Sequence, residues 1–221
     1  SGSDFITKTP SQTVRGTLST SLLSGQTVKV STDNGSTWTA ATATTGSTTF
    51  SLSGATLSGS STLMAKVVNS SNLSGAVYST SYTLDTVAPT LTITGLTASE
   101  PGASLPLTLT FSEVPLGFDA SDITVTNGTL STPVASNSTV YTAVFTPTLG
   151  IKADGTVSVS NNYFDSVGNQ GTAATLTPPI AINTIQTPLV TGSASTSQNG
   201  ASVVSLIDPD TGAVIGSAVP F

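Results

Sequence analysis

Strict two-residue alternation is the feature that most constrains this chain. Leu105-Pro106-Leu107-Thr108-Leu109-Thr110-Phe111 alternates cleanly, and Thr27-Val28-Lys29-Val30-Ser31 sets Val28 and Val30 on one face. A period of two suits a half-buried strand and defeats a helix, whose buried face needs a period near 3.6. Further strand-like runs are Thr49–Leu52, Leu63–Val68, Val77–Leu84, Leu91–Gly95, Ile123–Thr126, Val140–Phe145, Thr156–Val159 and Ala174–Thr177. Turn signals fall between these runs, about every ten residues. Asn34-Gly35 and Asn127-Gly128 are the sharpest, because both residue types tolerate positive φ. Thr suits strands, Ser suits turns, and 20 Gly and 12 Pro punctuate both. The pattern predicts an all-β chain of antiparallel sandwiches. Its first strand, Thr13–Leu18, is read as interrupted at Gly16, and the one helical turn is placed around Phe118-Asp119-Ala120-Ser121.

Charge is scarce. Only 7% of residues are charged while 37% are apolar, which argues against disorder. The net charge of −6, with five basic residues scattered singly, argues against nucleic acid and anionic membrane surfaces as partners. No apolar run reaches the length of a membrane span, so membrane insertion is not expected. Zero Cys removes a disulfide framework, a thiolate metal site and a Cys nucleophile. Zero His removes an imidazole base, and 11 carboxylates spread along 221 residues nominate no catalytic pair. A non-enzymatic chain is the expectation.

Two joints divide the sequence. Leu84-Asp85-Thr86-Val87-Ala88-Pro89-Thr90 breaks the alternation, and Ile182-Asn183-Thr184-Ile185-Gln186-Thr187-Pro188 repeats the break about one hundred residues later. The resulting units are 1–85, 86–184 and 185–221, the last a partial repeat. Val14-Arg15-Gly16 followed by Ser19-Thr20-Ser21 returns as Val190-Thr191-Gly192 followed by Ser195-Thr196-Ser197. Val203–Ile207 and Ala213–Gly216 read as a hairpin closed by Asp208-Pro209-Asp210-Thr211-Gly212, where turn chemistry explains both acids. The start at Ser1-Gly2-Ser3 and the stop in mid-pattern read as a segment of something longer.

Val28-Lys29-Val30-Ser31-Thr32-Asp33-Asn34-Gly35-Ser36-Thr37-Trp38 resembles the V-x-V-S-x-D-x-G-x-T-W core of bacterial immunoglobulin-like repeats. Leu84–Thr90 is similar to their D-T-x-A-P-T joint. Asp122–Leu130 and Phe164-Asp165-Ser166-Val167-Gly168-Asn169 look like a sister class carrying D-[IV]-T-V-x-N-G and D-x-x-G-N. The resemblance implies tandem immunoglobulin-like β-sandwiches joined by short proline-containing linkers. Such repeats form stalks of large surface and secreted adhesins of the type I-secreted, RTX-adhesin-like kind, where calcium stiffens the joints. It therefore implies a bacterial cell-surface or extracellular location, with neighbouring repeats of the same chain as the immediate partners.

Calcium requires six to eight oxygen ligands converging from loops. Asp165 and Asn169 are the first candidates, because a tight loop across Ser-Val-Gly turns both side chains inward. Asp85 is a third, if the fold brings it near a loop acid such as Glu113 or Asp119. The competing reading makes Asp165 and Asn169 turn residues with Asx-type backbone bonds. In the first unit the matching stretch is Asn69-Ser70-Ser71-Asn72-Leu73, without the family's Asp and Gly, and the second joint has Asn183 in place of Asp85. Both departures remove charge.

Two other functions compete with a stalk. The unfinished third repeat presents a sheet edge that a second copy can complete by strand addition, giving a sheath, filament or surface layer. A carbohydrate-binding module would use Trp38, Tyr141 or Tyr163, yet aromatics make up 5% of the chain, and Trp38 is expected to pack on its own hairpin. An isopeptide cross-link would need a buried Lys beside an acid; Lys29 and Lys66 lie on strands, with Lys29 on the face opposite Val28 and Val30. Asn34, Asn69, Asn72, Asn127 and Asn137 begin N-x-S/T triplets, and Ser/Thr abundance admits O-glycosylation.

Overall fold

The computed structural model describes residues 5–99 and 103–185 together with three later strands. Seven strands make the first sandwich: β1 (Phe5–Thr7), β2 (Ser11–Thr17), β3 (Thr27–Ser31), β4 (Thr39–Ala40), β5 (Thr49–Thr56), β6 (Ser61–Val68) and β7 (Ser74–Leu84). One sheet runs β1-β7-β6-β3-β4 and the other holds only β2 and β5. Alternation does what it promised in β3. Val28 and Val30 are buried and pack with Leu22 and Ala41, against Val14, Phe50 and Leu52 from the small sheet. The hairpin at Asn34-Gly35 has positive φ at both residues, 56° and 84°. The expected break at Gly16 does not occur, because β2 is continuous through it. Gly16 is there to admit the Phe50 ring, which lies 2.4 Å from where a Cβ would stand.

Ten strands follow the joint: β8 (Leu91–Gly95), β9 (Ala98–Ser99), β10 (Leu105–Phe111), β11 (Ile123–Thr126), β12 (Gly128–Leu130), β13 (Val134–Ala135), β14 (Val140–Pro147), β15 (Lys152–Val159), β16 (Ala174–Thr175) and β17 (Ile180–Asn183). One sheet is β12-β14-β10-β8 with β13 beside β14, and the other is β11-β15-β17-β9 with β16 beside β15. The chain changes sheets between β8, antiparallel to β10, and β9, parallel to β17. Leu107, Leu109, Phe145, Val157, Tyr163 and Ile180 fill the space between the sheets and are essentially inaccessible to solvent. At one end Phe111 stacks edge-on with Phe118, Tyr141 and Tyr163 at centroid distances of 4.9, 5.7 and 5.1 Å. The helical turn is a 3-10 turn at Ala120–Asp122, capped by Asp119.

The last three strands, β18 (Gly192–Thr196), β19 (Ser202–Ile207) and β20 (Val214–Ala218), form an antiparallel meander β18-β19-β20. β18 and β19 are bonded neighbours, whereas β2 and β3 sit in opposite sheets despite the sequence repeat. The 208–212 turn and Pro188 lie outside the described residues.

Candidate functional site: the acidic joint

Residues 85–90 have no regular structure, yet both ends are held. The Asp85 N–H donates to the Thr7 carbonyl at 2.9 Å, which ties the joint to the first sandwich. Asp85 Oδ1 accepts from Val87 N at 3.1 Å. At the far end Pro89 is buried, and its carbonyl accepts from Thr172 N at 3.1 Å and the Tyr163 hydroxyl at 3.4 Å. Thr90 and Ser112 exchange bonds of 2.9 Å, Ser112 N to the Thr90 carbonyl and Thr90 N to Ser112 Oγ.

The 165–169 loop closes over this joint. Asp165 Oδ1 accepts from Val167 N at 2.9 Å and Asn169 N at 2.8 Å, while the Asp165 N–H donates to the Asn169 carbonyl at 3.0 Å. Gly168 supplies the left-handed residue with φ 88°. The Asn169 side chain is a strut: its Nδ2 donates to Asp165 Oδ2 at 2.7 Å and to the Asp85 carbonyl at 2.9 Å. That leaves only its Oδ1 as a potential ligand atom. On the other side Lys8 donates from Nζ to the Gly168 carbonyl at 2.5 Å, a second link between the sandwiches.

Carboxylate oxygens of Asp85, Glu113 and Asp165 lie within 4.8 Å of one another, with Asp165 buried and the other two half-buried. Burial, followed by the charges of Asp165 and Asp85, pushes the Glu113 carboxyl above its ordinary value. Burial also works to raise Asp165, but bonds from Asn169, Val167 and Gly168 outweigh it and hold the carboxyl below its ordinary value. The cluster thus concentrates three acids, one of them resisting ionisation because of burial first and the charges of its neighbours second. Asp119 is not among them. It caps the 3-10 turn, accepting from Ser121 N at 2.7 Å and Ser121 Oγ at 2.6 Å.

The first sandwich contains the same loop without the charge. Asn69 Oδ1 accepts from Ser71 N at 3.0 Å and Leu73 N at 2.9 Å, Asn69 N donates to the Leu73 carbonyl at 3.0 Å, and Asn72 takes φ 59° where the second loop has Gly168. An Asx oxygen is enough to build the loop. The Asp165 carboxylate is more than the turn requires.

The remaining sequence candidates have structural partners. Tyr163 is fully buried, which removes it as a sugar platform; its hydroxyl donates to the Thr172 carbonyl at 2.7 Å. Tyr141 packs edge-on to Phe111 and Phe118. Trp38 donates from Nε1 to the Gly35 carbonyl at 2.9 Å, and Lys66 Nζ sits 3.9 Å over its ring. Lys29 pairs directly across from Lys66, a like-charge pair that the Trp38 face partly relieves. Neither lysine belongs to the acidic cluster.

Two facing antiparallel sheets with an exchanged first strand define an immunoglobulin-like sandwich. Residues 85–182, beginning at Asp85, match the bacterial Ig-like domain family, and this unit is a bacterial Ig-like domain. No curated protein sequence matches the chain. Among solved structures it is similar to the fibronectin(III)-like modules of Clostridium thermocellum CbhA, at 18% identity over 79% of this chain and 86% of that one, TM-score 0.29. It is also similar to invasin, a bacterial integrin-binding protein, at 13% identity over 93% of this chain and 48% of that one, TM-score 0.35.

Proposed function

We propose that the chain is a non-enzymatic spacer segment of a bacterial cell-surface or secreted adhesin, made of Ig-like repeats at 1–85, 86–184 and 185–221, with a calcium ion fixing the joint at Asp85. The observation that carries this reading is the convergence of three carboxylates from the joint and two loops of the next sandwich. The match of residues 85–182 to a bacterial Ig-like domain family supports a structural surface unit, and the chain's lack of His and Cys fits a mechanical role. Calcium binds hard oxygen donors at about 2.3–2.6 Å, so two ligands of one ion stand at most about 5 Å apart, and the spacing of these carboxylates satisfies that limit. Asp85, Glu113 and Asp165 would hold the ion, with water completing its shell on the half-buried side. A bound divalent cation would offset the repulsion that the three acids exert on one another. Asn169 and Lys8 support the same loop from either side and keep its oxygens in place.

Calorimetric titration of calcium into the intact chain tests this reading. One ion per chain is expected for the native sequence, with binding lost in Asp165→Asn and weakened at least tenfold in Glu113→Gln. Absence of binding to the native chain, or equal binding by Asp165→Asn, would overturn it.

A further inference from the structure

Charge is divided unevenly along the chain. Four of its five basic residues, Lys8, Arg15, Lys29 and Lys66, precede Asp85, together with only Asp4 and Asp33 of its 11 acids. The first unit is therefore positive within a chain of net charge −6. In the sequence its basic residues stand singly, but the pairing of β3 with β6 sets Lys29 directly opposite Lys66. Residues so placed have Cβ atoms about 4.5–5.5 Å apart on one face of the sheet, and like charges there repel. That face is the outer one, since Val28 and Val30 on either side of Lys29 are buried in the core.

The described acids of this part of the chain are engaged elsewhere. Asp33 is held in its own turn, where Oδ1 accepts from Ser31 Oγ at 2.6 Å and Thr37 N at 2.8 Å, and Oδ2 accepts from Thr37 Oγ1 at 2.5 Å. Asp85 belongs to the acidic cluster at the joint. Lys66 lies instead with Nζ 3.9 Å over the Trp38 ring, which its own bond from Nε1 to the Gly35 carbonyl holds in place. A cation–π contact restricts where the ammonium stands without neutralising it. The neighbours of the pair on this face are uncharged: Ala40 lies across from Lys29, Val77 across from Lys66, and Ser79 across from Met64 in the next row. Both lysines are half-exposed, while Ala40, Val77 and Ser79 are exposed. Two ammoniums in this position favour an anion that both can share, because it removes their repulsion and gains a charge-assisted hydrogen bond from each.

We propose that the outer face of β3 and β6 binds an acidic polysaccharide, with Lys29 and Lys66 donating to a uronate carboxylate. Charge complementarity chooses this class of partner. Nucleic acid and anionic bilayers present dense charge and need many cations spread over a surface. Here two stand together, and the units that follow carry most of the acids and repel such a surface. A uronate chain carries separate carboxylates among hydroxyls and ring C–H faces, which match the Ser79 hydroxyl and the small apolar surfaces of Ala40 and Val77. The inference is independent of the ion at the joint.

Binding of the intact chain to immobilised polygalacturonate, in chelator and at low and high salt, tests it, with dextran as the neutral polymer and duplex DNA as the densely charged one. The native chain is expected to bind polygalacturonate more tightly than either, and to bind it less tightly as salt rises. Lys29→Gln and Lys66→Gln should each weaken binding about two- to fivefold, and the double variant about tenfold, as exposed charge contacts do. Lys152→Gln removes the same charge from an exposed position on β15 and should bind as the native chain does. Thermal unfolding checks that each variant is folded. Absence of binding by the native chain at low salt would overturn the proposal. Equal loss in Lys152→Gln, or tighter binding to dextran or DNA than to polygalacturonate, would do the same.

Discussion

At the scale of single residues, the pair Asn69 and Asp165 separates what the fold needs from what a ligand would need. Both side chains accept two backbone N–H bonds in loops of the same form, and only one brings a charge. Asp165→Asn is therefore expected to keep the loop, with a melting temperature in chelator within a few degrees of the native chain and no response to calcium; differential scanning calorimetry in both buffers checks this. Gly171 makes the opposite point. A Cβ there would lie 2.2 Å from the buried Tyr163 ring. Gly171→Ala is expected to cost about 1–3 kcal/mol by overpacking, read from urea unfolding. The sequence marked Asp165 as either ligand or turn residue because both roles use the same oxygen positions. It could not mark Gly16 as a packing glycine, because Phe50, the reason for it, is distant in the chain and arrives only through the pairing of β2 with β5.

At the scale of elements, period-two burial printed itself on the long strands. β10 alternates Leu105, Leu107, Leu109 and Phe111 inward, and the structure buries all four. Leu109→Ala is expected to destabilise the chain by about 2–5 kcal/mol, since the side chain is fully enclosed. The two-residue strands β9 and β13 were illegible for the same reason, since two residues have no period, whereas β16 falls inside the expected run Ala174–Thr177. The loops at the joint titrate in opposite senses. Glu113 is raised on folding, so its contribution to stability is complete below its unfolded pKa and is lost as pH rises through the folded value. Asp165 is lowered, so its contribution is present above its unfolded pKa and is lost as pH falls through the folded value. In chelator, Glu113→Gln should abolish the first loss and leave the second, measured as melting temperature against pH. Convergence of Glu113 with Asp85 was visible in the sequence only as a condition on the fold, because residues so far apart meet through the topology of the second sandwich.

At the scale of the whole molecule, the joint is where mechanics and chemistry coincide. Pro89 is buried in the second sandwich, Asp85 is bonded to the first, and Asn169 and Lys8 reach across between them. These contacts tie the joint to both sandwiches without any ion. On the function proposed above, a cation among Asp85, Glu113 and Asp165 would add a clamp at the same point. The joint's sequence announced a boundary through the loss of alternation and the proline, while the acidic cluster depended on three acids meeting in space. The most direct test is small-angle X-ray scattering on the intact chain at low concentration, in millimolar calcium and then in chelator, with Asp165→Asn alongside. The account predicts a narrower, longer distance distribution in calcium than in chelator, and no such difference for Asp165→Asn. Identical profiles for the native chain in the two buffers would contradict it and leave proline and the direct contacts as the only stiffening at the joint.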